Sequence, residues 1–183
     1  TSMFRALFCV SAMQEVFMRA ILAFLVLAVS GTAMAQQSAP EQIGQWRDWA
    51  AYEATENGQK ICWMVTKPKN SEPKNVSRGE IYMMVANRPG EQISNELNVI
   101  IGYPFKDGSE ASISIDSKQF VMITRDDAAW LRQPAETDAM IKEMRAGKDA
   151  IVKGTSSRGT NTTDTFSLLG FTAANKAIAQ ACK

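Results

Sequence analysis

The chain has 183 residues, a length usual for one domain. With 20 Lys and Arg against 19 Asp and Glu its formal net charge is +1, and this balance excludes the strongly basic surface of proteins that bind nucleic acids or other polyanions. The sequence contains no histidine, which removes histidine-based catalytic triads and the most common zinc ligand.

The N-terminal segment has the pattern of a secretory signal peptide. Met18 and Arg19 precede an apolar run at 20–29, and a triplet of small residues ends at Ala35. A positive start, a run too short to span a bilayer and an A-x-A ending are typical of exported proteins. We therefore expect residues 1–35 to be an N-terminal extension and signal peptide, with the true start at Met18 and cleavage after Ala35. A buried helix or a membrane anchor is the alternative.

Two cysteines, Cys62 and Cys182, remain after that cleavage. An even number of cysteines in an exported chain predicts a disulfide. This one would close a loop of about 120 residues and stabilise the fold by roughly 4–5 kcal/mol in the chain-entropy model; two unpaired buried thiols are the alternative. The cleavage also removes two arginines and one glutamate, which leaves 18 basic and 18 acidic residues and a net charge of zero. No later apolar run is long enough for a transmembrane segment.

Residues 36–42 are expected to be a flexible tail, and residues 43–183 are predicted to form one mostly β domain. Short apolar runs separated by turn residues favour an antiparallel β-sandwich. The polar stretch at 68–78, which contains proline, is predicted to be a surface loop. The predicted strands are 43–52, 60–66, 79–86, 95–105, 110–116, 119–124, 148–155 and 163–169.

Two of these strands are predicted to form a hairpin with a defined register. A two-residue turn between 95–105 and 110–116 would set the apolar face of one strand against the polar face of the other. A three-residue loop at 107–109 instead pairs Phe105 with Ala111 and keeps both apolar faces on one side.

Two helices are predicted, at 134–146 and at 171–181, from apolar residues at helical spacing. Strand 60–66 is apolar on both sides and needs cover on both. We expect the opposing sheet to cover one side and the C-terminal helix to cover the outer side, which carries Cys62. The disulfide to Cys182 would then fasten this helix to the sheet.

No established catalytic or cofactor-binding motif appears, so we expect neither an enzyme nor a cofactor nor a metal site. The acidic doublet Asp126-Asp127 suits a solvated turn. The Gly- and hydroxyl-rich stretch 154–160 could bind an anion through backbone N–H groups, but its position between two predicted strands favours a hairpin loop. No particular serine and lysine are placed as a catalytic dyad.

A candidate interaction surface comprises two tryptophans and three lysines. Trp46 and Trp49 would lie on opposite faces of one strand, so one of them could be exposed to a partner. Lys67, Lys69 and Lys74 make the neighbouring loop mildly basic. Packing in the core for the tryptophans, and solubility alone for the lysines, are the alternatives.

Several motifs together resemble those of the bacterial invasion-associated locus B proteins. They cover nearly all of 43–183 and are the early Trp46-Arg47-Asp48-Trp49, the strand Ile61-Cys62-Trp63-Met64, the helix 139–147 running into 151–156, and the closing block 164–174 that leads to Cys182. Many members are expected to have a cysteine soon after the Trp motif, whereas this chain has Tyr52 and Glu53, so a second disulfide is absent.

The resemblance implies an exported β-sandwich protein that is periplasmic, associated with the outer membrane or secreted. It also implies a role in host-cell contact or invasion, with a protein partner in the envelope or on a host cell, and it brings no catalytic residues. A structural or stress-protective envelope protein without a dedicated ligand, and an unrecognised hydrolase, are the alternatives.

Overall fold

The computed structural model describes residues 39–183, so the signal-peptide prediction and residues 36–38 lie outside the described part of the chain. The strands are β1 (Glu41–Trp46), β2 (Trp49–Glu56), β3 (Gln59–Thr66), β4 (Asn70–Glu72), β5 (Tyr82–Arg88), β6 (Ile93–Ile100), β7 (Glu110–Ile115), β8 (Lys118–Arg125), β9 (Ala128–Leu131), β10 (Asp149–Thr155) and β11 (Asn161–Ser167). The helices are α1 (Thr137–Ala146) and α2 (Phe171–Ala181), with 3₁₀ turns at Pro89–Glu91 and Pro134–Glu136.

The described strands belong to one sheet in the order β1-β2-β3-β5-β6-β9-β8-β7-β10-β11-β4. Every neighbouring pair is antiparallel. The prediction of a mostly antiparallel β fold with two short helices is confirmed, and hydrogen bonding runs continuously across the sheet. No helix within residues 39–183 is long and apolar enough to cross a membrane.

The predicted strand 43–52 is two strands, because a tight turn interrupts it. Arg47 has a left-handed φ of 56°, and the turn that it forms with Asp48 pairs Trp46 with Trp49 across the β1–β2 hairpin. No glycine or proline stands at position 47 or 48, so the break was not visible in the pattern.

Three smaller differences concern the segments between the predicted strands. Residues 41–42, predicted as tail, begin β1. Strand β4 lies within the loop predicted at 68–78 and pairs with β11. Strand β9 follows the acidic doublet at 126–127 and pairs with both β6 and β8. Both missed strands are short, and their pairing partners are distant in sequence or on the far side of a turn.

The predicted hairpin between 95–105 and 110–116 is wrong. β6 ends before Gly102, whose φ of 76° turns the chain away from the sheet. The Phe105 backbone N–H donates to the Asp126 carbonyl at 2.7 Å instead of to a neighbouring strand. β7 pairs with β8 and β10, so both of its edges are already occupied.

One side of the sheet carries the hydrophobic core. Paired residues on antiparallel strands project to the same side. Met64 on β3 pairs with Val85 on β5, which pairs with Leu97 on β6. Ile113 on β7 pairs with Val152 on β10. All five are buried in one cluster. Both predicted helices are confirmed and add to this cluster through Met140, Ile141, Met144, Phe171, Ala174 and Ile178.

The C-terminal helix packs against the sheet as predicted, but on the core side and not on an outer side, and a disulfide joins its end to β3. Cys62 and Cys182 are bonded, with their Cα atoms 5.9 Å apart. Phe171 meets the ring of Trp49 edge-on at a centroid distance of 5.2 Å, and the indole Nε1 of Trp49 donates to the Ser167 carbonyl at 3.0 Å. Because Cys62 and Trp49 are both fully buried, α2 covers the core side of β2 and β3.

Candidate functional site

The other side of the sheet carries an apolar surface on β2, β3 and β5. Side chains alternate along a strand, so the residues between the core positions point outward. Tyr52 pairs with Trp63, and their rings stack with centroids 5.7 Å apart. Ile61 and Val65 flank Trp63 on β3, and Met84 lies opposite Val65 on β5. These five partly exposed residues are called the apolar outer face below.

Polar groups border the apolar outer face. Gln42 lies opposite Tyr52 on the edge strand β1, and Asn98 lies opposite Met84 on β6. Arg88 Nη1 and Glu96 Oε2 form an ion pair at 2.5 Å beside them. The outer side of β7, β10 and β11 is mostly polar, with Ser112, Ser114, Lys153, Thr163 and Thr165. An apolar centre with a polar rim is the usual anatomy of a protein–protein interface.

The two tryptophans, predicted to lie on opposite faces of one strand, instead pair across the β1–β2 turn and lie on the core side of the sheet. Trp49 is fully buried, so the structure places it in the core and removes it from the candidate surface. Trp46 is partly buried and packs against the edge of the core. The alternative of core packing therefore holds for Trp49.

The three predicted lysines are exposed, and each has a polar partner. Lys67 forms an ion pair with Glu80. The ammonium of Lys69 lies 2.5 Å from Asp48 Oδ1, and this hydrogen bond lowers the pKa of the Asp48 carboxyl. Lys74 Nζ donates to Asn70 Oδ1 at 2.5 Å and lies 3.8 Å from Glu72 Oε1. The loop therefore does not present a concentrated positive charge.

Sequence reasoning did not select Tyr52 and Trp63 as candidate surface residues, although the signal was present. The strand 60–66 is apolar at every outward and inward position from Ile61 to Val65. The side bearing Cys62 was correctly predicted to face the C-terminal helix. The side bearing Trp63 was expected to face an opposing sheet. It remains partly exposed, because the core and the C-terminal helix both lie on the side bearing Cys62.

A second feature is a buried ion pair between segments far apart in the chain. Arg78 and Asp164 have side chains that are 6% and 0% exposed. Nη1 and Nη2 of Arg78 donate to the two Asp164 carboxylate oxygens at 2.9 and 2.7 Å. Nε and Nη2 donate to the Ile101 carbonyl at 3.2 and 2.7 Å. A bidentate pair of this kind fixes the segment before β5 against β11.

Tyr103 extends this network. The guanidinium of Arg78 lies over its ring, 5.0 Å from the centroid, and its hydroxyl is 2.6 Å from Thr162 Oγ1. Burial raises the pKa of Tyr103, while the Thr162 hydrogen bond and the charge of Arg78 act in the opposite direction. The hydroxyl is therefore held in its neutral form.

A polar cleft of about 260 Å³ opens beside this network, between residues 75–78 and the loop that joins β10 to β11. The loop is the hairpin predicted at 154–160. Its backbone cannot serve as the anion cradle considered from the sequence, because four N–H groups are already bonded. Ser156 N donates to Thr160 O, Ser157 N to Pro104 O, Gly159 N to Ser156 O and Thr160 N to Ser156 Oγ.

The described residues contain no group of three Cys, Asp or Glu side chains placed to hold a metal ion. Beside the cleft, Arg78 and Asp164 form a closed salt bridge. The described residues offer apolar contact on the sheet and donated hydrogen bonds in the cleft, and both can serve recognition.

A family model described as invasion associated locus B (IalB) protein matches residues 49–179. The chain belongs to the IalB family. The resemblance expected from the sequence motifs is thereby confirmed. No significant match was found among curated proteins or among solved structures.

The IalB match contains both candidate surfaces. It begins at the first residue of β2 and includes the apolar outer face, Cys62, Arg78 and Asp164. It ends within α2, three residues before Cys182. The features that an IalB domain could use for recognition therefore lie inside the family region.

Proposed function

We propose that this IalB protein is an exported, non-catalytic interaction protein of the bacterial envelope, and that it binds a protein partner through the apolar outer face. The partner is expected to offer a flat apolar surface, in the envelope or on a host cell. If the partner is on a host cell, the protein would take part in host-cell invasion, the role that gives the family its name.

The observation that carries this proposal is the stacked pair of Tyr52 and Trp63 on an otherwise open sheet surface. Tyrosine and tryptophan dominate the binding energy of protein interfaces, because they bury a large area at a small cost in conformational entropy. The surrounding polar rim, which includes the Arg88–Glu96 ion pair, would limit access of water to the centre.

Two observations support export. The Cys62–Cys182 disulfide is a kind of bond that persists in oxidising compartments and is rare in the cytosol. The A-x-A pattern ending at Ala35 fits cleavage on export. Periplasmic, outer-membrane-associated and secreted locations are all compatible with these features.

Site-specific photocrosslinking in the living bacterium tests the proposal. A photoreactive amino acid would replace Trp63, and in a matched strain it would replace Ile151, which also lies on the outer side of the sheet but among polar neighbours. We expect a discrete crosslinked protein from position 63 in the envelope or culture fraction and none from position 151. Fractionation of the same cells locates the protein.

A second variant separates specific binding from chance proximity. Tyr52→Ser removes one ring of the stack and leaves Trp63 available for substitution by the crosslinker. If the apolar outer face binds the partner, this change weakens the crosslink severalfold while circular dichroism shows an unchanged fold. Equal crosslinking from positions 63 and 151, or a crosslink indifferent to Tyr52→Ser, would contradict the proposal.

A further inference from the structure

The polar cleft beside Arg78 has unused hydrogen-bond donors. The Arg78 guanidinium has five N–H groups, and four of them are bonded to Ile101 and Asp164. The remaining Nη1 hydrogen has no acceptor within residues 39–183. Because the Arg78 side chain is only 6% exposed, water has little access to this group.

Two further buried groups lining the cleft have a spare hydrogen. Ser156 is 4% exposed, and its Oγ accepts a hydrogen bond from Thr160 N at 3.1 Å, so its own hydroxyl hydrogen is available. One hydrogen bond joins the hydroxyl groups of Tyr103 and Thr162. It uses one of their two hydroxyl hydrogens and leaves the other available to a further acceptor. Buried donors normally find an acceptor, so three together indicate where a ligand oxygen would lie.

The charge of the cleft comes from Arg158. Asp164 balances Arg78, none of the residues lining the cleft is acidic, and Arg158 at its rim has no ion pair in the described part of the chain. The loop that carries Arg158 is fixed, since Ser157 N donates to Pro104 O at 2.8 Å. A ligand would therefore meet a largely preorganised set of donors with one net positive charge.

We propose that this cleft binds the phosphate group of a phosphate monoester. Arg158 supplies the charge at the rim, and Arg78, Ser156 and the Tyr103–Thr162 pair donate from the floor. A phosphate monoester presents three strong acceptor oxygens and close to two negative charges, which suits several donors from different directions better than a carboxylate does. The cleft volume of about 260 Å³ leaves room for part of the group that carries the phosphate. That group could belong to a soluble sugar phosphate or to a lipid headgroup.

Titration of the oxidised protein tests the site, with glucose 1-phosphate as the soluble probe and two-dimensional amide NMR as the readout. We expect saturable shifts of residues 156–160, and an affinity that falls by about tenfold or more in Arg158→Ala, as for loss of one charged hydrogen bond. Arg125→Ala is the matched control, because Arg125 is an exposed arginine at the end of β8 and is not among the residues that line the cleft. It should change the affinity less than about twofold.

Vesicles distinguish the two sources of the phosphate. Phosphatidylcholine vesicles containing phosphatidic acid present a phosphate monoester, whereas those containing phosphatidylglycerol present the same sign of charge without one. Sedimentation with the phosphatidic acid vesicles alone, lost in Arg158→Ala, assigns the site to a lipid headgroup. Binding of glucose 1-phosphate without such sedimentation assigns it to a soluble ligand.

Three results would overturn the proposal. They are the absence of saturable binding to either probe, an equal loss of affinity in the Arg158→Ala and Arg125→Ala variants, and shifts that fall outside the cleft. Crosslinking from the apolar outer face does not depend on this cleft, so the failure of one proposal leaves the other standing.

Discussion

Replacing Cys62 and Cys182 together by alanine removes the covalent link between α2 and β3. The two residues are 120 positions apart in the chain. In the chain-entropy model, closing a loop of that length lowers the entropy of the unfolded chain enough to stabilise the fold by about 5 kcal/mol at 25 °C. Because Cys62 is fully buried, losing its sulfur adds a small cavity cost of about 1 kcal/mol.

This change is large relative to the stability of an ordinary domain, which is about 5–15 kcal/mol. We therefore expect the double variant to unfold at a much lower urea concentration, with a midpoint temperature lower by about 10–20 °C. Urea unfolding followed by tryptophan fluorescence measures the difference. Trp49 is a suitable probe, because its ring contacts Phe171 of α2.

Reduction of the wild-type protein isolates the link from the cavity. Dithiothreitol should lower the stability of the wild-type protein by most of the same amount, and it should leave the Cys62→Ala/Cys182→Ala variant unchanged. The reasoning is refuted if the oxidised and reduced wild-type proteins unfold within about 1 kcal/mol of each other. It is also refuted if mass spectrometry finds both thiols free in the protein recovered from the envelope.

Three more changes test the interior. Asp164→Asn leaves the Arg78 guanidinium buried without its counter-charge, so the free energy of unfolding in urea should fall by about 3–5 kcal/mol; a loss below 1 kcal/mol would contradict the buried pair. Because the pKa of Tyr103 is raised in the folded state, its hydroxyl ionises at a lower pH in the unfolded chain. Stability should therefore be lost as the pH rises from about 10 through the folded pKa. Tyr103→Phe should flatten that loss in unfolding curves between pH 9 and 11, and an unchanged slope would count against it. Gly170→Ala should lower the melting temperature more than Gly108→Ala does. Both glycines have positive φ, but only at position 170 would a Cβ collide with a backbone carbonyl.

Features that depend on neighbours in sequence were predicted well. Helix α2 was predicted with its observed bounds, because its apolar stripe recurs at helical spacing and no glycine or proline interrupts it. Most strands were found from alternation in the same way. The turn at Arg47 was missed because a non-glycine residue with positive φ leaves no sequence signal there.

Features that depend on partners distant in sequence were not predicted. The hairpin register at Phe105 satisfied every local rule, yet β7 has β8 and β10 as partners, and the chain leaves the sheet at Gly102. The pair formed by Arg78 and Asp164 spans 86 positions, and neither residue is unusual in its local context.

The sequence by itself determined the β class, both helices, the pairing of Cys62 with Cys182 and the family, because alternation, helical spacing and motif identity are local properties of the chain. Only the tertiary structure decided which side of β3 is left partly exposed and which buried donors line one cleft. Those outcomes depend on which apolar surfaces the helices cover and which strands lie side by side. Both are set by strand pairing between segments that long loops separate in the chain.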